Sequence, residues 1–158
     1  MSWYIGLMTG TVLDGNIDVA FLRTDGKTIE KFGYYDLVPY SEGVKSLIIS
    51  ALNEAKRWNF IGKEPEIFSK AEAALTKSQA EAVKKCIKLA GINKKEISAI
   101  GFHGQTVLHR PANRVLKGAT RQLGDGQAMA NTLDIPVVYD FRTHDIEEGG
   151  QGAPLCPI

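Results

Sequence analysis

The chain has 158 residues, 44% of them hydrophobic, which is enough to bury a core without metal or disulfide staples. The 19 Lys and Arg residues balance 18 Asp and Glu residues, and the formal net charge of +1 argues against an overall field for nucleic acid or an anionic membrane. Because the 2 cysteines are too few for a disulfide framework and no apolar run has membrane length, we expect a single cytoplasmic domain over residues 1–158.

The first part of the chain predicts three antiparallel strands. Residues 3–8 form a short apolar run, and residues 17–23 follow a glycine-bearing turn as a second strand candidate. Asp25 and Gly26 are a strong hairpin signal that leads into a third candidate over residues 28–37. The opening is therefore predicted to be a β-meander.

Two amphipathic helices are predicted next. After Ser41, apolar residues recur at spacings of three and four as far as Ala55. A second helical pattern follows Pro65 and carries many lysines and glutamates until Gly91 ends it. We expect this second stretch to cover a sheet.

The rest of the chain alternates predicted strands with a helix. Residues 97–102 and 135–139 are short strand candidates, and residues 123–133 can form a helix that Asp125 caps. Three antiparallel strands, followed by helices and further strands in one mixed sheet, have a ribonuclease-H-like order. The predicted fold class is therefore α/β and ribonuclease-H-like.

The turn between the first two predicted strands is a candidate phosphate site. Its glycines permit positive φ and close backbone approach, and its amides can point at phosphate oxygens. Asp14 could hold a metal-bound water. The turn has neither the Walker pattern nor a dinucleotide fingerprint. A plain hairpin turn that carries an aspartate is the alternative that the residues leave open.

A cluster of polar side chains follows the predicted strand at residues 97–102. His103, Gln105 and Thr106 offer an imidazole, an amide and a hydroxyl, which hydrogen-bond sugar hydroxyls or a carboxylate. Arg110 adds a candidate anion partner. Open α/β sheets bind ligands at the carboxyl ends of strands. The cluster is therefore a candidate substrate site, and a structural role for its histidine is the alternative.

A third polar cluster, Asp140, Arg142 and Asp145, follows the last predicted strand. A solvated ion-pair turn is the alternative to a substrate or metal site here. The glycine-rich residues 149–154 come next and favour a functional interpretation, either close backbone approach to a ligand or a hinge. A flexible tail is the other interpretation of these glycines.

Taken together, these motifs resemble those of the anhydro-N-acetylmuramic acid kinases of the actin-like ATPase superfamily. The family's Gly-x-Met-Ser-Gly-Thr-Ser-x-Asp-Gly opening and its Asp-Val-Ala strand match residues 6–20. Its Gly-x-His-Gly-Gln-Thr-Val-x-His motif matches residues 101–109, and Gln-Leu/Ile-Gly-Asp matches residues 122–125. Its Asp-Phe-Arg-x-x-Asp and Gly-Gly-Gln-Gly-Ala-Pro-Leu motifs match residues 140–155. Four motifs in the family's order make coincidence a poor explanation.

The resemblance implies ATP-dependent conversion of 1,6-anhydro-N-acetylmuramic acid and water to N-acetylmuramic acid 6-phosphate, in bacterial peptidoglycan recycling. ATP and Mg are the implied cofactors, and a small amino sugar is the implied substrate. No nucleic acid or membrane partner is expected, and a homodimer is a possible assembly. Such kinases have a second domain, so we expect this chain to be the N-terminal, actin-like part and to stop before the enzyme is complete.

The resemblance also assigns roles to individual residues. It implies that Asp14 acts on Mg through water, and that the substrate-binding residues are His103, Gln105, Thr106, Asp140, Arg142 and Asp145. The implied ATP-binding residues are Gly10, Thr11, Val12, Leu13, Asp14, Gly15, Asn16, Ile17 and Asp18.

Three departures from the family pattern fall in the phosphate turn. Thr9 and Val12 stand where the family usually has serines, and Asn16 is an added residue. Thr9 keeps a hydroxyl, whereas Val12 removes one. We therefore expect weakened nucleotide binding through a turn whose backbone amides remain.

The family's general base lies in a later Asp-Thr-Gly-Pro-Gly-Asn motif, beyond Ile158. No catalytic base is therefore assigned in this chain, and the chain alone is expected to be inactive. The alternative function is a non-catalytic actin-like half-domain that binds a ligand or a partner. A natural reading frame that continues past Ile158 would favour the kinase.

Overall fold

The computed structural model describes residues 1–9 and 14–152. Four implied ATP contacts, Gly10, Thr11, Val12 and Leu13, lie outside the described residues. Within the described part of the chain, no helix is long and apolar enough to cross a membrane.

The predicted meander is confirmed. Strand β1 (Ser2–Met8) pairs with β2 (Asn16–Thr24), and β2 pairs with β3 (Ile29–Pro39), both antiparallel. At the second turn the Asp25 carboxylate accepts hydrogen bonds from the backbone amides of Thr28 and Lys27, at 2.8 and 2.9 Å. These bonds favour the ionised carboxylate and lower the pKa of Asp25.

The described residues form four α-helices: α1 (Glu42–Trp58), α2 (Glu66–Ala90), α3 (Gly126–Leu133) and α4 (Thr143–Glu147). The Ser41 hydroxyl accepts from the Val44 amide at the start of α1, and Gly91 ends α2 with a φ of 64°. The carboxylate of Asp125 accepts from the Ala128 amide at 2.8 Å, so the predicted cap of α3 is confirmed.

The remaining strands are β4 (Ile97–Phe102), β5 (Gln105–Arg110), β6 (Ala119–Leu123) and β7 (Val137–Tyr139). The main sheet has the order β3-β2-β1-β4-β7, in which β4 runs parallel to β1 and β7 runs parallel to β4. Strands β5 and β6 form a separate antiparallel hairpin. This mixed five-stranded sheet with its helices is the ribonuclease-H-like fold of actin-like ATPases.

One face of the main sheet carries most of the core. Alternate residues of β1 and β2 point into it beside Leu75 of α2, which is fully buried. The opposite face exposes Met8, Tyr35 and Val138, which are 54%, 57% and 55% accessible. The sheet is therefore covered by helices on one face within the described residues.

Two predictions about the second half need correction. The helix predicted for residues 123–133 begins only at Gly126, because Leu123 ends β6, where it pairs with Gln105. The β5–β6 hairpin and α4 were not predicted. The hairpin's loop is long, and α4 has only 5 residues, too few for a periodic apolar pattern.

Candidate functional site

Three of the predicted motifs meet at one edge of the main sheet. Strands β1, β4 and β7 are parallel to one another, so their carboxyl ends lie at the same edge. Thr9, His103 and Asp140 are the residues that follow these three strands. Sequence positions far apart are thereby brought to a single edge of the sheet.

The carbonyl oxygen of Gly104 joins the first two motifs. It accepts a hydrogen bond from the hydroxyl of Thr9 at 3.2 Å, and it lies 2.9 Å from Nδ1 of His103. Thr9 is only 4% exposed. The turn after β1 is therefore tied to the loop after β4 through a buried contact.

Arg142 joins the second motif to the third. Its Nε donates to Nε2 of His103 at 3.2 Å, and its Nη1 donates to the carbonyl oxygen of Gly152 at 2.6 Å. The Gly152 amide in turn donates to the Asp145 carboxylate at 2.7 Å. Arg142 and Asp145 therefore hold Gly152 of the glycine-rich loop through its carbonyl oxygen and its amide, respectively.

Asp140 directly follows β7 and has a φ of 56°, a left-handed conformation that few non-glycine residues adopt. Its carboxylate accepts from the hydroxyl of Thr143 at 2.6 Å and from the Thr143 amide at 3.3 Å. Across residues 14–152, neither Asp140 nor Asp145 forms an ion pair with Arg142 or His144. The ion-pair turn is therefore not the arrangement seen.

The β5–β6 hairpin carries a row of polar side chains that sequence reasoning missed in part. The Gln122 amide donates to the hydroxyls of Thr120 and Thr106, at 2.6 and 3.4 Å. Nδ1 of His109 lies 3.3 Å from the same Thr120 hydroxyl. Thr120 was not singled out, because only the pairing of β5 with β6 brings it beside Thr106 and His109.

A cleft of about 130 Å³ opens beside these groups. It is lined by Phe102, His103, Gly104, Thr120, Arg121, Gln122, Gly124, Tyr139, Asp140 and Thr143. Four implied substrate residues, Gln105, Thr106, Arg142 and Asp145, do not line it. Gln105 is only 8% exposed, and its Nε2 donates to the carbonyl oxygen of Thr106 at 3.1 Å. Its contribution in this arrangement is to the packing of the hairpin.

An ion-pair cluster fixes the hairpin against α2. Arg121 contacts Glu64 at 2.8 Å and Glu72 at 3.1 Å, and Glu72 also accepts from the Gly124 amide at 3.0 Å. Burial by itself would lower the pKa of Arg121, but the hydrogen bonds to both glutamates outweigh burial and raise it. Arg121 therefore stays charged and anchors one wall of the cleft.

In the described part of the phosphate turn, Asp14 is exposed and Gly15 is buried. Asp14 accepts from the Asn16 amide at 3.0 Å, and Gly15 has a φ of 73°. The side chain of Ile17 is fully buried in the core, so it could meet a nucleotide only through its backbone. Asp18 accepts from the hydroxyl of Tyr35 at 3.2 Å on the open face of the sheet.

The described side chains fit a magnesium ion only if waters and phosphates supply most of its ligands. Among residues 1–9 and 14–152, no group of three or more His, Cys, Asp or Glu side chains could hold a metal ion. A single exposed carboxylate, such as that of Asp14, is what Mg²⁺ requires when most of its ligands are waters and substrate phosphates. A cage made only of protein ligands does not fit the described residues.

Tyr40 forms a backbone hydrogen bond to the phosphate turn. Its amide donates to the carbonyl oxygen of Gly15 at 2.8 Å, and its hydroxyl accepts from Nε2 of Gln79 at 2.7 Å. Burial, together with the nearby carboxylates of Asp14 and Asp18, raises the pKa of the phenol well above its ordinary value. The neutral form of Tyr40 is therefore the folded form.

This raised pKa predicts a loss of stability in alkali. The neutral phenol stabilises the folded state fully below about pH 10, where the unfolded tyrosine begins to ionise. Above that pH, this contribution falls by up to about 1.4 kcal/mol per pH unit. We expect the free energy of unfolding of Tyr40→Phe, measured with urea between about pH 8 and 11, to lack this alkaline decrease. Parallel pH profiles for the two proteins would contradict the assignment.

Comparison with known proteins gives a consistent result. The sequence model of the family described as "Anhydro-N-acetylmuramic acid kinase" matches residues 2–158. A Brucella anthropi protein with that name is 54% identical over 156 residues, which cover 99% of this chain and 42% of the relative. A Mesorhizobium japonicum protein of the same name is 54% identical over 154 residues, with 98% and 42% covered. The chain thus spans 42% of the length of these curated relatives.

Proposed function

Because the chain belongs to the anhydro-N-acetylmuramic acid kinase family, we propose that it forms one wall of the nucleotide and sugar cleft of such a kinase. In the proposed reaction, ATP gives its terminal phosphoryl group to O6 of 1,6-anhydro-N-acetylmuramic acid, and water opens the anhydro bridge. The products are ADP and N-acetylmuramic acid 6-phosphate. The observation that carries the proposal is the meeting of three motifs at one sheet edge, after β1, β4 and β7.

The nucleotide end of the cleft is assigned to residues 10–18. Phosphoryl transfer depends on positioning and on neutralisation of charge, for which backbone amides of a glycine turn are suited. The exposed Asp14 carboxylate would hold magnesium through a water. Magnesium, when bound, would neutralise part of the charge of the phosphates. Tyr40 and Gln79 would keep the base of the turn in place.

The sugar end is assigned to the groups that line the cleft. Thr120 and Gln122 present a hydroxyl and an amide, which suit the hydroxyls and acetamido group of an amino sugar. Asp140 and Thr143 also line the cleft. Thr106 adjoins this group through its contact with Gln122. Gln105, Arg142 and Asp145 would act by holding the surrounding backbone.

We expect the 158-residue chain alone to show no kinase turnover. Its cleft of about 130 Å³ is small beside the roughly 300–1,000 Å³ typical of ligand sites, and ATP plus an amino sugar need more room. A second domain would supply the opposite wall and the base that activates water. The measurement is mass spectrometry of the sugar after incubation with ATP and magnesium. Sugar phosphate formed at a catalytic rate would refute the expectation.

The kinase proposal itself is tested with a hybrid protein. Residues 1–158 replace the matching part of the Brucella anthropi relative, and sugar phosphate is measured against the intact relative. We expect turnover, and a loss of at least about 10-fold when Asp14→Asn removes the carboxylate charge. Asp25→Asn is the matched control, because both aspartates accept backbone amides in exposed turns between strands.

Two results would contradict the proposal. A folded hybrid that makes no sugar phosphate while the intact relative does would favour the non-catalytic half-domain. Equal activity of the Asp14 and Asp25 variants would remove Asp14 from the nucleotide site. The cytoplasmic location, the role in peptidoglycan recycling and the homodimer stay predictions, and the exposed apolar face of the sheet supports self-association.

A further inference from the structure

We infer that His103 is a positioning residue, held as a neutral imidazole with its proton on Nδ1, and that both ring nitrogens are used inside the protein. This differs from the sequence expectation, in which the imidazole contacts the sugar. The significance of the inference for catalysis rests on the proposed function. Its geometry does not, because it depends only on contacts among Gly104, His103 and Arg142.

Two contacts specify the same tautomer independently. A guanidinium nitrogen can only donate, so Nε2 of His103, 3.2 Å from Nε of Arg142, must accept and carries no proton. A carbonyl oxygen can only accept, so Nδ1, 2.9 Å from the Gly104 oxygen, must donate. An imidazolium would turn an N–H towards the N–H of Arg142, which this arrangement does not accommodate. The neutral form with a proton on Nδ1 satisfies both partners.

The imidazole links the phosphate turn to the glycine-rich loop. On one side, the Gly104 oxygen also accepts from Thr9, at the entry to the phosphate turn. On the other side, Arg142 continues to the carbonyl oxygen of Gly152, in the glycine-rich loop. A continuous polar chain therefore runs from Thr9 to Gly152 through His103. The imidazole sets the distance between the nucleotide end and the loop beside the sugar end.

The imidazole nitrogens are directly observable by NMR in the 158-residue chain labelled with ¹⁵N-histidine. The chain has 3 histidines, so His103→Gln identifies the resonances of His103 by their loss. At about pH 8, where free histidine is neutral, we expect a protonated Nδ1 and an unprotonated Nε2 for His103. Exposed His144 serves as an internal reference for an imidazole without these constraints.

Variants of Arg142 separate positioning from general support of the fold. Arg142→Met removes the donor to Nε2, so we expect the Nε2 resonance to shift and the second tautomer to appear. The same change removes the donor to the Gly152 carbonyl, so the loop around Gly152 should open more often. We therefore expect faster hydrogen exchange of the Gly152 amide. Arg142→Lys keeps a donor and should partly restore the Nε2 resonance without the contact to Gly152. Exposed Arg114→Met is the matched control and should change neither signal.

The outcomes are decisive in both directions. A proton on Nε2, or on both nitrogens, in the unsubstituted chain overturns the inference. An Nε2 resonance that Arg142→Met leaves unchanged also overturns it, since Arg142 would not then be the donor. Because these signals are read without ATP or sugar, a failure of the kinase proposal in the hybrid protein leaves them intact. If the hybrid is active but His103 has a different tautomer, this inference is contradicted and the kinase proposal is not.

Discussion

Replacing Gly104 with alanine is expected to lower the free energy of unfolding by about 2–5 kcal/mol. Gly104 has a φ of 68°, where a residue with a β-carbon loses about 1–2 kcal/mol. A β-carbon there would also overlap the carbonyl oxygen of Leu123, a backbone atom that cannot rotate away. Overpacking of this kind costs a further ~1–3 kcal/mol. The Gly104 carbonyl, which both Thr9 and His103 contact, would move with it.

Gly62 offers a matched control for this substitution. It has a φ of 74°, close to that of Gly104, but nothing lies within 4 Å of the position that a β-carbon would take. Gly62→Ala should therefore show the conformational cost alone, about 1–2 kcal/mol. Urea unfolding of both variants gives the comparison. Equal losses would mean that the contact between Gly104 and Leu123 does not constrain the chain.

Replacing Arg121 with methionine is expected to cost about 2 kcal/mol of stability. Removing one partner of a fully buried ion pair costs roughly 3–5 kcal/mol, but Arg121 and Glu72 side chains each keep 24% of their surface in water, which reduces the penalty. Methionine retains much of the packing on the Phe68 ring, so the change reports mainly on charge. The hairpin wall of the cleft should loosen as well.

A surface pair of the same chemistry gives the control. Arg57 and Glu54 lie 2.7 Å apart on α1, but the Arg57 side chain is 77% exposed, so Arg57→Met should cost less than about 0.5 kcal/mol. Adding Glu72→Gln to Arg121→Met removes the unpaired carboxylate and should recover part of the loss. If Arg121→Met and Arg57→Met prove equally mild, the cluster with Glu64 and Glu72 does not anchor the hairpin.

Much of the fold was predictable because its signals are local. The turn at Asp25, the caps at Ser41 and Asp125, and the end of α2 at Gly91 each depend on contacts within a few residues. The β5–β6 hairpin escaped prediction because its pairing joins residues across a long loop. The start of α3 was placed too early for the same reason, since Leu123 pairs with Gln105 instead of joining the helix.

The candidate site was likewise predictable only in part from the sequence. Its residue types and their positions after strands were visible in the sequence, and so was the resemblance to the family. Whether His103, Gln105 and Arg142 reach a cleft or hold neighbouring backbone was not visible. Polar side chains suit both roles, and only their partners decide between them.

The sequence by itself determined the meander, the helix caps, the ribonuclease-H-like order and membership of the kinase family, because these follow from short-range patterns and from motifs in order. Only the tertiary structure decided which side chains meet. Thr9 contacts Gly104 across a separation of 95 residues, and His103 contacts Arg142 across 39. Such contacts arise when parallel strands bring their ends to one edge of a sheet, and no local pattern encodes which partner each group will find there.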